Sequence, residues 1–523
     1  MGEIAPRVVT EKDKDFCHNL RKYFREFSEV TGIHGLRYVI EKRTRIEKII
    51  WTIILLISLG GCLYMIYEVL DKYNKSPVVV SFASEDTPLY QMPFPAVTIC
   101  PESKYSREKF NYSGVYFKLV EEESVTLDER RKFDYLSAMC AETPDNITCT
   151  KENFGNEFYE IIHKMKLNEN FLFPFCAHDN KLVNCDQIFT PIFIDEGICY
   201  SFNILGGHEI FRDHVYNFHD YYRVANTSEK YFDPEFGYKS TAGVRTYPRR
   251  ALKSGADSAF LVFFNYDTSD SDFNCNNFLQ GFRVLIHNPW DVPRVSQHYF
   301  RIPFDKVVVA AMEPVLVVTS ENVRRFPPEK RKCFMRNERF LRHFLHYSQS
   351  NCLLECLTNY TLGKCGCVKF YMPRDNSTPI CGPNSYECTE NAESELQIKE
   401  LEHKISGRSL CDCKPSCTNL KYSVETSHSD FYFKEYFKVH NEFKLEDFDG
   451  THWSVLQLYF KDEQFMTMER NELYGISDLI SNLGGLLGLF TGFSLITMAE
   501  IIYFCTVRVV YNRRLYGLWS GPN

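Results

Sequence analysis

The stretch LISNLGGLLGLFTGFSLITMA, residues 479–499, carries no charged side chain over 21 positions. A helix of that length rises about 30 Å, which is the thickness of a bilayer core. The stretch differs from a plain hydrophobic anchor because Ser481, Gly485, Gly488 and Gly492 recur on one helix face. This face predicts either close packing between helices or a narrow pore whose backbone carbonyls replace the water around an ion.

A second uncharged stretch, IIWTIILLISLGGCLYMIY, occupies residues 49–67. Lys and Arg cluster before residues 49–67 and again after residues 479–499. Positive charge stays on the cytoplasmic side of a membrane, so we expect both chain ends to be cytoplasmic. The predicted order is a cytoplasmic tail (1–48), a first span (49–67), an extracellular domain (68–478) with a Cys-rich part (333–417), a second span (479–507) and a short cytoplasmic tail (508–523).

The cysteines and the glycosylation sequons agree with this topology. Of the 20 Cys, all but Cys17, Cys62 and Cys505 lie between the two spans. Disulfides and N-glycans both form outside the cytosol. The net charge of −8 argues against a nucleic-acid binder, and zinc ligation by the clustered Cys is disfavoured because no His stands at ligand spacing. The five sequons are Asn111, Asn146, Asn226, Asn359 and Asn376.

The extracellular part is predicted to be a mixed α/β domain with a central sheet. Residues 120–175 and 333–365 have mixed charges and few β-branched runs, which favours helices. No HExxH, G-x-S-x-G, Walker A or Rossmann glycine motif occurs, which disfavours an enzyme. The predicted strands are Ala259–Asp267, Gly281–Asn288, Lys306–Val318 with a break at Pro314, and His452–Phe460.

A set of short motifs follows in order along nearly the whole chain. They are His34-Gly35, FPAVTIC (94–100), GICYSFN (197–203), GFRVLIH (281–287), the Cys-rich part, SNLGG (481–485) and GLFTGFS (488–494). Taken in this order, they resemble the gating motif, the palm and β-core segments, the thumb and the pore helix of the degenerin/epithelial sodium channel superfamily. The run CLLECLTNYTLGKCGCVKFYMPR, residues 352–374, is most similar to the arthropod pickpocket branch.

The resemblance implies an α+β membrane protein in which two transmembrane helices flank a large disulfide-rich extracellular domain. It implies a hand-like domain with palm, β-ball, finger, thumb and knuckle, and a homo- or heterotrimeric channel with related subunits in the lipid of the plasma membrane. The permeant ion is then Na⁺, amiloride blocks the pore, gating is voltage-independent, and no cofactor or metal is needed. The rivals are a non-conducting, modulatory or sensory subunit of the same fold, and a two-span ATP-gated channel, which lacks both the G-x-S filter and this Cys-rich part.

The resemblance also assigns pore residues. The selectivity filter falls on Gly492, Phe493 and Ser494; Phe493 departs from the usual small residue, so we expect its ring to point away from the pore axis. Glu500 has two interpretations, an acidic group below the filter or an ion-pair partner of Arg508. The gate residues are Ser481, at the degenerin site, with Asn482, Gly485, Gly488 and Leu489.

The disulfide pattern comes from the same resemblance, because spacing alone leaves the pairing of the Cys open. We expect the nested pairs to staple two antiparallel thumb helices, and Cys140, Cys149 and Cys275 remain without assigned partners. The implied pairs are Cys100–Cys199, Cys176–Cys185, Cys333–Cys417, Cys352–Cys413, Cys356–Cys411, Cys365–Cys388 and Cys367–Cys381.

Overall fold

The structure, a computed structural model, describes residues 16–75, 77–140, 153–219, 221–224, 231–275, 279–440 and 449–521. The chain forms two compact units. The span unit contains residues 1–79 and 471–523, and the sheet unit contains residues 80–470.

The helices range in length from four residues, as in α7, to the 31 residues of α3. Their bounds are α1 Phe16–Val30, α2 Leu36–Ile40, α3 Arg45–Lys75, α4 Tyr112–Val120, α5 Leu127–Ser137, α6 Glu157–Met165, α7 Glu169–Leu172, α8 Cys185–Ile188, α9 Gly207–Ile210, α10 Glu321–Arg324, α11 Pro328–Arg331, α12 Gln349–Cys365, α13 Tyr386–Ile405, α14 Phe433–His440, α15 Ile476–Thr491, α16 Leu495–Cys505 and α17 Val507–Tyr516.

The strands belong mainly to two sheets. Their bounds are β1 Val78–Phe82, β2 Thr87–Pro88, β3 Ala96–Pro101, β4 Asn153–Phe154, β5 Cys176–His178, β6 Lys181–Val183, β7 Phe189–Ile194, β8 Gly197–Phe202, β9 Phe232–Asp233, β10 Gly237–Tyr238, β11 Phe260–Asp267, β12 Phe282–His287, β13 Phe300–Ile302, β14 Lys306–Thr319, β15 Ile380–Cys381, β16 Asn419–Asp430, β17 Thr451–Phe460, β18 Gln464–Phe465 and β19 Met468–Glu472.

In the span unit, two helical stretches are long and apolar enough to cross a membrane: Arg45–Lys75 and Leu495–Tyr516. Ile476–Thr491 is a shorter apolar helix. Large apolar side chains on α3 are exposed, among them Ile57 at 70% and Leu63 at 59%. An apolar surface of this extent needs a cover, and lipid tails provide one. The predicted span 49–67 lies within α3, whereas the stretch 479–507 is not one continuous helix.

In the sheet unit, a mixed sheet has the strand order β14-β17-β11-β5-β6, with β16 also paired to β14. A second, antiparallel sheet has the order β13-β12-β3-β8-β7. Aromatic rings fill the space around these strands: the Phe202 and Phe260 rings stack with centroids 4.3 Å apart, and Phe94 packs edge-on against both. All four predicted strands are confirmed, as β11, β12, β14 and β17.

The predicted break at Pro314 is wrong, because β14 continues through it. Pro314 faces Tyr422 of β16 in an unbroken register on one side. On the other side, β17 pairs with β14 only up to Met312, and β19 begins to pair at Val317. A proline has no N–H to donate, and at this position β14 has a neighbour on one side only.

The predicted helix over residues 333–365 is confirmed only from Gln349 onwards. The side chain of Ser348 accepts a hydrogen bond from the Asn351 N–H and begins α12, and Gly366 at φ 71° ends it. Before Ser348, the chain is extended and irregular, with Phe334 bonded to the backbone of Pro415 and Cys417. Side-chain capping therefore sets the start of this helix.

The described residues contain eight disulfides. Seven of them join the pairs that the family resemblance implies. The eighth is Cys140–Cys275, which the sequence left open, and Cys149 lies outside the described residues. The expected stapling of two helices is wrong in part: Cys352 and Cys356 of α12 bond to Cys413 and Cys411, in the non-helical segment 411–417 that follows α13.

The sequons are exposed where they are described. Asn111, Asn359 and Asn376 all have exposed side chains, whereas Asn146 and Asn226 lie outside the described residues. Asn111 also caps α4, because its Oδ1 accepts from the Gly114 N–H at 2.9 Å. A glycan attaches to the amide nitrogen, so capping through Oδ1 and glycosylation are compatible.

Candidate pore and its support

The predicted second span, residues 479–507, is interrupted at the tripeptide assigned as the filter. Helix α15 ends at Thr491, the helix break covers residues 492–494, and α16 begins at Leu495. Gly492 ends α15 in the left-handed conformation at φ 72°, and its N–H donates to the Gly488 carbonyl at 2.9 Å. Irregular backbone at membrane depth is tolerated only where it is buried in protein or lines a water-filled cavity. A break at this position therefore requires either a packed protein neighbour or a water-filled cavity.

The loop of residues 31–35, here called the pre-span loop, lies directly against the helix break. The His34 N–H donates to the Thr491 carbonyl at 2.9 Å. A Cβ on Gly492 would stand 2.7 Å from both the Gly32 carbonyl oxygen and the His34 ring, closer than real Cβ atoms approach other atoms. Only glycine fits at position 492, for reasons of both conformation and space.

Two further residues connect the loop to α16. The Gly32 N–H donates to Glu500 Oε2 at 3.3 Å, and a Cβ on Gly32 would lie 3.1 Å from Thr497 Oγ1. Ser494 caps α16, since its Oγ accepts from the Thr497 N–H at 3.2 Å. The alternative pairing of Glu500 with Arg508 is wrong, because Arg508 pairs with Glu26 at 2.5 Å.

His34-Gly35 and Gly492–Ser494 belong to separate sequence motifs, and no pattern in the sequence predicts the contact between them. Gly32 and Thr497 were not predicted as site residues either. A weak signal exists for Gly32, because it adds a second glycine within four residues, Gly32 and Gly35, in a segment of otherwise larger side chains. Thr497 carries no such signal, because Thr is ordinary in an apolar helix.

Helix α15 contacts α3 through one face and leaves Gly484 and Gly485 uncovered by the part of the chain that the structure describes. Ser58 Oγ donates to the Phe490 carbonyl at 2.7 Å. The Phe490 ring fills the space where a Cβ on Gly61 would be, 3.2 Å away. A Cβ on Gly484 or Gly485, by contrast, meets nothing within 4 Å. The small-residue face does not pack against the first span.

Three other residues that the resemblance assigns to the gate are also exposed, whereas Gly488 is half-buried. Ser481, Asn482 and Leu489 are exposed, Leu489 at 78%. Residues 476–505 contain two acidic side chains, Asp478 and Glu500, and neither Lys, Arg nor His. A surface whose charged groups are all negative attracts cations and repels anions.

Outside the spans, a charged network ties β3 to β12. Arg283 contacts Glu102 at 2.9 Å and Glu196 at 2.5 Å, and Arg301 reaches Glu102 at 2.8 Å. Burial alone would disfavour the charged guanidinium, but the hydrogen bond to Glu102 and the two carboxylate charges outweigh it and raise the pKa of Arg283. The network holds permanent ion pairs, so its role is structural.

Comparison with known proteins identifies the family. A family profile described as amiloride-sensitive sodium channel matches residues 27–504, so the chain belongs to this family. Its relatives place it in the degenerin/epithelial sodium channel superfamily, in the pickpocket branch. It is a two-span channel protein of the plasma membrane with a disulfide-rich extracellular domain, and not an enzyme.

Three relatives illustrate the range. Pickpocket protein 28 of Drosophila melanogaster is 28% identical over 490 residues, covering 91% of this chain and 77% of the relative. Sodium channel protein Nach of the same fly is 24% identical, covering 98% and 92%. The human bile acid-sensitive ion channel is 23% identical, covering 92% and 86%.

Proposed function

We propose that the chain is a subunit of a trimeric, sodium-selective, amiloride-sensitive and voltage-independent cation channel. The observation that carries the proposal is the helix break at Gly492–Ser494, preceded on α15 by Gly484 and Gly485, whose Cβ positions meet no atom of the described residues within 4 Å. Three copies meeting at this face would bring their break carbonyls to one axis, where such carbonyls replace an ion's water shell.

In this arrangement Gly492, Phe493 and Ser494 form the filter, and the Phe493 ring points away from the axis. Ser481, Asn482, Gly485, Gly488 and Leu489 line the gate side of the same helix, and His34-Gly35 supports the filter from the pre-span loop. Both termini are cytoplasmic in the proposal. The extracellular hand, with the thumb at residues 333–417, controls opening.

Voltage clamp of cells expressing the chain tests the proposal. We expect inward current carried by Na⁺ in preference to K⁺, unaffected by voltage and blocked by amiloride, from the chain alone or with related subunits. No current in either condition, with trimers present at the surface, contradicts conduction and favours a non-conducting or modulatory subunit.

A pore-face substitution sharpens this test. Gly485→Trp puts a large ring on the free face of α15, and we expect loss of current with normal surface trimers. The matched control is Gly60→Trp in α3, where a Cβ likewise meets nothing within 4 Å and the ring faces the lipid side in this proposal. Equal currents in both variants would show that Gly485 does not face the pore.

A further inference from the structure

Helix α1 contacts a second interruption of the predicted span 479–507, which lies at Thr506. Helix α16 ends at Cys505 and α17 begins at Val507, with the intervening Thr506 in a non-helical conformation. The last carbonyls of a helix have no partner inside the helix. The Tyr23 hydroxyl donates to one of them, the carbonyl of Phe504, although Tyr23 lies 481 residues earlier in the chain.

Several side chains surround this hydrogen bond. The Tyr23 ring meets the Phe504 ring at 5.8 Å and the Trp519 ring at 5.7 Å, both edge to face. Glu26, one turn along α1, pairs with Arg508 at 2.5 Å. We call Tyr23, Glu26, Phe504, Arg508 and Trp519 the tail clasp. The first and last parts of the chain therefore meet on one side of the membrane.

The tail clasp excludes water from its centre. Tyr23 is 9% exposed and Phe504 is 7% exposed. Burial raises the pKa of Tyr23, so its hydroxyl stays protonated and remains a donor. Beside it, the Ser520 Oγ lies 3.2 Å from Asn19 Oδ1, and both residues are buried.

The same helix leads into the loop that supports the filter. Helix α1 ends at Val30, and the next residues are the pre-span loop, in which Gly32 bonds to Glu500. The loop cannot move closer to the break, since Gly32 and His34 already fill the space of a Cβ on Gly492. The position of α1 on α16 therefore limits where the loop can sit.

We propose that Tyr23 is a positioning residue for ion conduction, through which the tail clasp holds the pre-span loop against the helix break. The inference rests on the proposed channel function. Once the clasp is released, the loop leaves the break, and the break no longer keeps one backbone shape. Both the current and the preference for Na⁺ over K⁺ then fall.

The first test removes a single atom. Tyr23→Phe keeps the ring but leaves the Phe504 carbonyl without its partner. We expect the current per surface subunit to fall about five-fold, the change in population that corresponds to one hydrogen bond of ~1 kcal/mol, together with a lower Na⁺/K⁺ permeability ratio. The matched control is Tyr38→Phe, an exposed tyrosine in the same part of the chain.

The second test exchanges charges. Glu26→Arg and Arg508→Glu each reduce the current, and the double variant Glu26→Arg/Arg508→Glu recovers at least half of it, because the ion pair is restored in reverse. The matched controls are Arg21→Glu on α1 and Arg513→Glu on α17, both exposed. An unrecovered double variant means that the ion pair does not position α1.

The third test detects the clasp without using current. The variant carries Asn19→Cys and Ser520→Cys, with Cys17→Ser and Cys505→Ser to remove nearby thiols. We expect a short thiol-reactive cross-linker that resists reduction to join the two new cysteines in whole membranes. After the native disulfides are reduced, the cross-linked chain then migrates differently on a gel from the chain without the cross-link. Adding Tyr23→Phe lowers the yield. No cross-link overturns the clasp itself. If the wild type conducts and Tyr23→Phe has the same current and selectivity, the inference alone is overturned. If the wild type does not conduct, the proposed function is overturned as well.

Discussion

Replacing Gly492 with Ala perturbs the helix break at its tightest point. The residue has φ 72°, and a side chain in that left-handed conformation costs about 1–2 kcal/mol. That cost alone reduces the population of the observed break about 5- to 30-fold. The new Cβ also stands 2.7 Å from the Gly32 carbonyl, so the pre-span loop has to move by several tenths of an ångström. We expect the current per surface subunit to fall by at least about ten-fold.

A second variant separates backbone strain from the close contact. Asn adopts the left-handed conformation more readily than Ala, but its side chain is larger. If strain dominates, Gly492→Asn conducts better than Gly492→Ala; if the contact with Gly32 dominates, it conducts no better. The control is Gly60→Ala, a helical glycine with open space around it, where Ala favours the helix by up to about 1 kcal/mol.

The assay combines voltage clamp with surface biotinylation, so that each current is divided by the amount of subunit at the membrane. Both Gly492 variants should reach the surface, because the sheet unit that carries the disulfides is unchanged. A Gly492→Ala current within two-fold of the wild type would refute the reasoning, since it would mean that the break tolerates a side chain.

Three further substitutions have defined outcomes. Cys140→Ser should lower the free energy of unfolding by about 2–4 kcal/mol, measured by thermal unfolding in detergent, and the double variant Cys140→Ser/Cys275→Ser should match it if the two sulfurs only serve each other. His287 borders a cavity of about 380 Å³, and desolvation lowers its pKa to about 4, so stability is present above pH 6.5 and falls by up to ~3 kcal/mol as the pH drops to 4. His287→Gln should flatten that slope, and the opposite effect of Asp291, whose pKa is raised by burial, cancels in the comparison. Ser481→Val adds bulk near the gate and should give constitutive current; an unchanged closed state would contradict the degenerin assignment.

Local patterns were sufficient for the strands and the first span. The run of Val, Phe and Tyr in β11 is bounded by turn residues, and α3 is uncharged over a bilayer thickness, so each carries its own signal. Pro314 misled the prediction because the cost of a proline in a strand depends on whether a neighbour is present, which the sequence does not state.

The contact between the pre-span loop and the helix break could not be predicted from the sequence for a similar reason. The two glycines, Gly32 and Gly492, lie 460 positions apart, and nothing local to either indicates that they touch. Cys140 and Cys275 likewise have no spacing rule, and their pairing follows only from where the fold places the segments that follow α5 and β11. Long-range contacts of single residues are set by the whole fold, whereas the break itself was signalled by Gly492.

The two bonds from Cys352 and Cys356 to segment 411–417 connect helix α12 covalently to a strand of the mixed sheet. That segment continues within two residues into β16, which pairs with β14 from Asn419 to Asp430. Packed side chains can slide past each other, but covalent bonds stretch very little. A displacement of α12 therefore reaches β16 through covalent bonds as well as through packed side chains, so α12 cannot move far from the sheet edge without moving β16.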